Sequence, residues 1–199
     1  PSTCSSPFTH PLYAGPFPRL GPPIRNLLMG HDVLFSVGGD LFTLSLPSDV
    51  EPMPEGLTVV HMDTDPWQLG KNYPAKVAIL GDPKARLPDL AEALRKRLGP
   101  AVLKERAGKV ADLAAAHAAS TEKMRAKARA EVQTSPISPL ALVGAVADAV
   151  PDEAIIVDES ISSSHGVRNL FRAQDHQSFY GLRGGGIGWG LPPSLGVQL

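Results

Sequence analysis

Val33-Leu34-Phe35-Ser36-Val37-Gly38-Gly39 decides the fold. The run is mostly apolar, without the strict alternation of a half-buried strand, and a glycine pair stops it. That is the pattern of a buried strand in a parallel sheet. Before it, Ile24, Leu27 and Leu28 give a short helical face, and Gly30 stands where a glycine follows a helix. After it, Thr58-Val59-Val60-His61-Met62 reads as a second strand and Val77-Ala78-Ile79-Leu80 as a third, stopped by Gly81-Asp82-Pro83. Leu87, Leu90, Leu94 and Leu98 then fall on one helical face, with Pro88 near its start and Gly99 past its end. The order helix–strand–strand–strand–helix predicts an α/β fold built as parallel-sheet sandwich domains.

Residues 101–137 change character. Charged residues such as Lys104, Glu105, Arg106, Lys109, Glu122, Arg125 and Lys127 alternate with alanines. They predict a solvated helical connector, because the stripe of Val110, Leu113 and Met124 is thin for a partner-binding helix. A domain boundary is placed here, so that residues 1–100 form one α/β domain and 138–199 begin another. In the second, Ser138 is placed to cap a helix starting at Pro139. Leu142, Val143, Val146 and Val150 are its expected buried face. Ala154-Ile155-Ile156-Val157 reads as a strand that delivers Asp158-Glu159-Ser160 at its carboxyl end, where open α/β sheets bind ligands.

The chain has 199 residues, 43% hydrophobic and 20% charged, with a net charge of −1. This fits a soluble globular protein and gives no basis for a nucleic-acid or anionic-membrane partner. No apolar run approaches the roughly 20 residues that span a bilayer, and no signal peptide opens the chain; the expected setting is cytoplasmic. Cys4 stands alone, which excludes an internal disulfide and fits a reducing compartment. Residues 1–20 read as an extended loop. Both ends read as cut: the chain starts at Pro1, and Val197-Gln198-Leu199 lies inside an expected helix. The six histidines, His10, His31, His61, His117, His165 and His176, lack the i, i+4 pairing of a zinc site. No metal-ligating or catalytic residue is assigned.

Tyr180-Gly181-Leu182-Arg183-Gly184-Gly185-Gly186-Ile187-Gly188-Trp189-Gly190-Leu191-Pro192 holds five glycines in the seven residues from Gly184 to Gly190. Glycine tolerates positive φ and lets other groups approach the main chain closely. Two readings follow: a hinge or tight strand-to-helix turn, or a place where main-chain atoms meet a ligand. The spacing is not the dinucleotide fingerprint, since the third glycine after Gly186 and Gly188 comes one residue early.

Three stretches in order resemble the thiamine-diphosphate enzymes of the acetolactate synthase and benzoylformate decarboxylase group. Met62-Asp63-Thr64-Asp65-Pro66-Trp67-Gln68-Leu69-Gly70-Lys71-Asn72 with Val77-Ala78-Ile79-Leu80-Gly81-Asp82 is similar to the later part of that family's central domain. The unit ending in Asp158-Glu159-Ser160 is similar to the opening of its diphosphate-binding domain. Gly184 to Leu199 is similar to the cofactor-facing turn and the helix after it. Pro7-Phe8-Thr9-His10-Pro11 and the stretch from Gly185 to Leu199 look most like benzoylformate decarboxylases.

The resemblance implies a fragment of a 2-oxo acid decarboxylase or carboligase that uses thiamine diphosphate and Mg2+ as a homo-dimer or homo-tetramer. It implies cofactor-binding roles for Ser160, Ile161, Ser162, Gly185, Gly186 and Ile187. Ile187 would be the bulky prop beneath the angle between the cofactor's two rings. The Gly185 carbonyl would accept from the aminopyrimidine, and the Ile187 amide would reach a ring nitrogen. Amides and hydroxyls of Ser160, Ile161 and Ser162 would hold diphosphate oxygens, although Asp158 and Ser160 could equally cap the next helix. Glu159 is read as structural or cofactor-orienting. The glutamate of the family's first domain and its later Gly-Asp-Gly and Asn metal ligands lie outside the sequence, so the fragment alone is expected to be silent.

Where benzoylformate decarboxylases carry an active-site histidine, the aligned residue is Ser45. A hydroxyl is no near-neutral acid–base group, which argues against the benzoylformate reaction itself. Phe42, Leu44 and Leu46 suit either an apolar pocket or a plain hydrophobic loop. The alternative from another class is a non-enzymatic ADP- or FAD-binding α/β module, using Gly38-Gly39 and Asp63.

Overall fold

The structure is a computed structural model, and it describes residues 6–44, 47–182 and 186–199. The chain divides into two compact units, residues 17–103 and residues 6–16 with 104–199.

Residues 17–103 contain α1 (Gly21–Leu28), β1 (Val33–Val37), β2 (Thr58–Asp63), β3 (Val77–Leu80) and α2 (Pro83–Arg97). The expected element order is the observed one. The sheet runs β1-β2-β3 and both pairings are parallel, with Val33 opposite Thr58 and Val60 opposite Val77. α1 buries Ile24 and Leu28, while Leu27 faces solvent. Gly30 follows at φ +89°, a left-handed conformation that favours glycine. The Arg25 guanidinium ties this helix to the next loop by donating to the carbonyls of Glu51 (3.0 Å) and Met53 (3.2 Å).

Two expectations are corrected here. β1 is not buried: Val33 is 51% exposed, and Phe35 and Val37 are more than one-third exposed. Among the described residues it is an edge strand with a single neighbour, whereas the central β2 buries Val59, His61, Met62 and Asp63. α2 starts at Pro83, capped by the Asp82 carboxylate on the Lys84 amide (2.9 Å), so Pro88 lies inside it. Its leucine stripe is real in spacing, but no residue of the helix is buried.

α3 (Pro100–Ala130) is a 31-residue helix whose only buried residue is Ala128. The division between the units falls inside it, after Leu103. It is followed by α4 (Pro139–Ala149), β4 (Ile156–Asp158), α5 (Val167–Leu170), β5 (Phe179–Gly181) and α6 (Leu191–Gln198). β4 and β5 pair in parallel, with Ile156 opposite Phe179 and Asp158 opposite Gly181.

The start of α4 is as read from the sequence: the Ser138 hydroxyl accepts from the Ala141 amide (3.0 Å) ahead of Pro139. Its buried face is only partly so: Leu140, Ala141 and Gly144 are buried and the expected Val143 packs against both core clusters, whereas Leu142 is 50% and Val146 41% exposed. The helix is apolar nearly all round, so periodicity could not choose a face. The small residues chose it: a Cβ added at Gly144 would lie 2.8 Å from the Ala128 Cβ of α3. Leu140, Leu170 and Ala128 form one core cluster there. A second joins Phe8, Val167, Ala173 and Phe179. The segment read as an extended loop therefore has an anchor. The Phe8 amide donates to the Ala173 carbonyl (2.8 Å), and its ring meets Phe179 edge-on at 5.2 Å.

Candidate functional site

β4 ends at Asp158, and the chain then turns. The Asp158 carboxylate is spent locally, accepting from the amide (2.9 Å) and hydroxyl (2.5 Å) of Ser160. Both donors of Ser160 thus hold the turn. Ile161 is 76% exposed, and its carbonyl accepts from the Ser164 hydroxyl at 2.9 Å. Ser162 is exposed. β5 lies beside β4, and the pairing extends one residue further through the Leu182 amide and the Asp158 carbonyl (3.0 Å).

The glycine segment returns to the same strand end. The Glu159 carboxylate accepts from two main-chain amides at once, Gly188 through Oε1 and Gly190 through Oε2 (2.5 Å). The amides of Gly190, Gly188 and Trp189 hold the Glu159 carboxyl below its usual range, against the opposing effect of burial. Glu159 is therefore anionic at neutral pH and acts as a fixed acceptor. Its carboxylate serves here as the acceptor of two main-chain amides.

The two glycines differ in what requires them. Gly188 has φ +86° in open space, so the backbone alone demands glycine. At Gly190 an added Cβ would lie 2.9 Å from Glu159 Oε2 and 3.2 Å from its Cβ, so the close approach demands it. α6 then starts at Leu191 with proline in its first turn.

Ile187 stands at the tip of this turn and is 94% exposed. A bulky aliphatic side chain stripped of protein contacts, on a turn held by two hydrogen bonds to one carboxylate, is suited to packing under an apolar ligand surface. Leu191 and Leu195 of the helix that follows are also exposed. Gly186 is exposed and a Cβ there would meet nothing. Of the six residues read as cofactor-binding, Gly185 lies outside the described residues, as do Ser45, Leu46 and Cys4. The other five lie on two segments, 160–162 and 186–187, that flank the two ends of the Glu159 contact. A thiamine diphosphate fits the character of this place, with a bare aliphatic prop, glycine main chain around it and a serine-rich turn next to it.

In residues 17–103 the polar groups that could have marked a nucleotide cleft serve turns. Asp63 accepts from the Asp65 amide and Asp65 from the Trp67 amide, each at 2.9 Å. His61 is buried, with Nε2 facing the Gly39 carbonyl at 3.1 Å and Nδ1 receiving the Gly70 amide at 3.5 Å. It is a satisfied core residue. Asn72 donates to Asp40 and to the Leu41 carbonyl, pinning a loop in which Phe42 has φ +53° and its ring meets Phe17 at a tilt and Tyr73 edge-on. Among the described residues, no group of His, Cys, Asp and Glu is arranged to hold a metal ion, and no helix is long and apolar enough to cross a membrane.

The sequence reading missed the partners of Glu159. Its own signal was a glutamate directly after a strand. Nothing in the sequence tied it to amides 29 and 31 residues away.

The chain is similar to known proteins along its whole length. Residues 4–90 match the central domain of thiamine pyrophosphate enzymes. The chain is 27% identical over 198 residues to benzoylformate decarboxylase of Pseudomonas aeruginosa, covering 100% of this chain and 34% of that protein. It is 27% identical over 209 residues to sulfoacetaldehyde acetyltransferase of Roseovarius nubinhibens, covering 97% and 34%. The chain thus spans about a third of the length of these relatives. Its fold is that of the thiamine diphosphate-dependent 4-hydroxybenzoylformate decarboxylase of Rhodococcus jostii, with a TM-score of 0.69 at 23% identity over 100% of this chain and 34% of that one. Residues 4–90 therefore carry the central domain of thiamine pyrophosphate enzymes, and over its whole length the chain is similar to thiamine-diphosphate-dependent enzymes.

Proposed function

We propose that this chain forms part of a thiamine-diphosphate-dependent 2-oxo acid decarboxylase or carboligase, with residues 138–199 opening the domain that holds the cofactor. Bound thiamine diphosphate supplies a nucleophilic thiazolium carbon and an electron sink for the bond broken beside a 2-oxo acid's carbonyl. The chain's own residues bind and orient. Ile187 would give the apolar surface beneath the two rings and its amide would meet the aminopyrimidine, a role the resemblance also implies for the carbonyl of Gly185, which lies outside the described residues. Gly186 keeps that main chain accessible. The turn from Ser160 to Ser162 would hold the diphosphate, with Asp158 fixing its first residue. The Mg2+ ligands and the activating glutamate belong to parts of the enzyme outside this sequence. The working assembly is a cytoplasmic homo-dimer or homo-tetramer, and this chain by itself is catalytically silent.

The single observation that carries the reading is Ile187, exposed at 94% on a turn that Glu159 holds. An aliphatic side chain held in the open gains nothing from folding, and burying one is worth roughly 1.5–3 kcal/mol. A ligand that covers it recovers that stabilisation. The test is Ile187→Ala in the complete enzyme. Turnover should fall by a far larger factor than stability changes. Unchanged steady-state activity would remove the prop role.

A further inference from the structure

Glu159 lies one residue past the end of β4 and immediately before the Ser160–Ser162 turn, yet its carboxylate is committed to the other segment of the site. It spans the amides on either side of Trp189, two residues downstream of the tip. Gly188 at positive φ and Gly190 without a Cβ are what allow both amides to reach one carboxylate. Two oxygens bonded to two amides fix the rotation of the turn as well as its position, which a single contact would leave free. Hydrogen bonds to an ionised acceptor are stronger than neutral ones, so this contact is suited to holding a glycine-rich segment that has little order of its own.

We propose that Glu159 is a positioning residue: by clamping the Gly188 and Gly190 amides it sets the height and orientation of Ile187 relative to the 160–162 turn, so that cofactor rings and diphosphate are received at a fixed separation. The proposal rests on the reading of Ile187 as the cofactor's contact. It assigns Glu159 no contact with the cofactor and no proton to transfer. Its effect passes entirely through the turn, so two features should matter. One is the length of the side chain, since both oxygens must reach. The other is the paired acceptor oxygens, since a carboxamide replaces one of them with a donor.

The experiment compares Glu159→Gln, Glu159→Asp and Ile187→Ala in the complete enzyme. Three readouts are taken: thiamine diphosphate affinity by near-ultraviolet circular dichroism, deuterium uptake of the cofactor-free peptide covering residues 186–191, and the thermal midpoint. Glu159→Gln should speed deuterium uptake in that peptide and weaken cofactor binding about tenfold, the scale of one lost hydrogen bond to a charged group. The thermal midpoint should fall by no more than the loss of that one contact accounts for. Glu159→Asp, one methylene shorter, should fail in the same way although it keeps the charge. Full rescue by Asp, or weakened binding without faster uptake, would show that a charge near the cofactor matters and would overturn the clamp. Unchanged uptake and affinity in Glu159→Gln would also overturn it. Ile187→Ala separates the two claims. If it weakens binding while Glu159→Gln does not, the prop stands and the clamp falls. If Glu159→Gln loosens the turn while Ile187→Ala leaves binding and turnover intact, the prop reading falls.

Discussion

Glu159 and Gly190 are 31 residues apart in the chain and 2.5 Å apart in the fold, carboxylate oxygen to main-chain amide. That contact, with its companion at Gly188, joins the carboxyl end of a parallel strand to a turn whose tip is an exposed isoleucine. It holds Gly188 and Gly190 of the glycine segment against the strand end. The two readings left open by the sequence, a strand-to-helix turn and a main-chain ligand site, are compatible: the segment does lead from β5 into α6.

Gly190→Ala and Gly188→Ala should fail for different reasons. The first places a methyl group against Glu159 and displaces the carboxylate, so it should loosen the turn and weaken cofactor binding much as Glu159→Gln does. The second leaves space but forces alanine into a left-handed backbone, a strain of about 1–2 kcal/mol. Combining Gly190→Ala with Glu159→Gln should therefore add little to either change alone, whereas Gly188→Ala should add its own strain. Cofactor affinities of the single and double variants check this.

The order of the turn should depend on pH. The Glu159 carboxyl is held below its ordinary value by the Gly190 amide first and then by Gly188 and Trp189. A depressed carboxyl contributes its stabilisation fully above the unfolded value and loses it as pH falls through the folded one. Deuterium uptake at 186–191, corrected for intrinsic exchange, should be flat from neutral pH down to the ordinary glutamate range and should rise only below it. Glu159→Gln should abolish that dependence.

The contact of α3 with α4 should be sensitive to single methylenes. Leu140 is 5% exposed and packs with Ala128 and Leu170. Leu140→Ala should cost about 2–5 kcal/mol. Gly144→Ala should cost about 1–3 kcal/mol by overpacking, since its methyl would sit 2.8 Å from that of Ala128. Leu142→Ala, half exposed on the other face, should cost far less. Chemical denaturation ranks the three.

What was legible in the sequence follows from the range of the interactions involved. Ser138 and Pro139 announced a helix start because capping is settled within four residues. Val77 to Leu80 announced a strand because composition and the stop at Gly81-Asp82-Pro83 are local. The α4 face was only partly legible. Leu142 and Val146 are as apolar as Leu140, and the choice was made by a close approach at Gly144, which only the fold supplies. β1 misled because its composition suits a central strand while its position is an edge. For the candidate site, the segments were legible through resemblance and the exposure of Ile187 was not. Ser160 was legible as either an anion contact or a turn residue, and its amide and hydroxyl are engaged by Asp158.

The most direct measurement is a crystal structure of the complete enzyme with thiamine diphosphate bound. The account predicts the Ile187 side chain in van der Waals contact with both rings of the cofactor, and Glu159 still bonded to the Gly188 and Gly190 amides without touching it. An Ile187 side chain packed only against protein or left in solvent, with the cofactor held elsewhere, would contradict it.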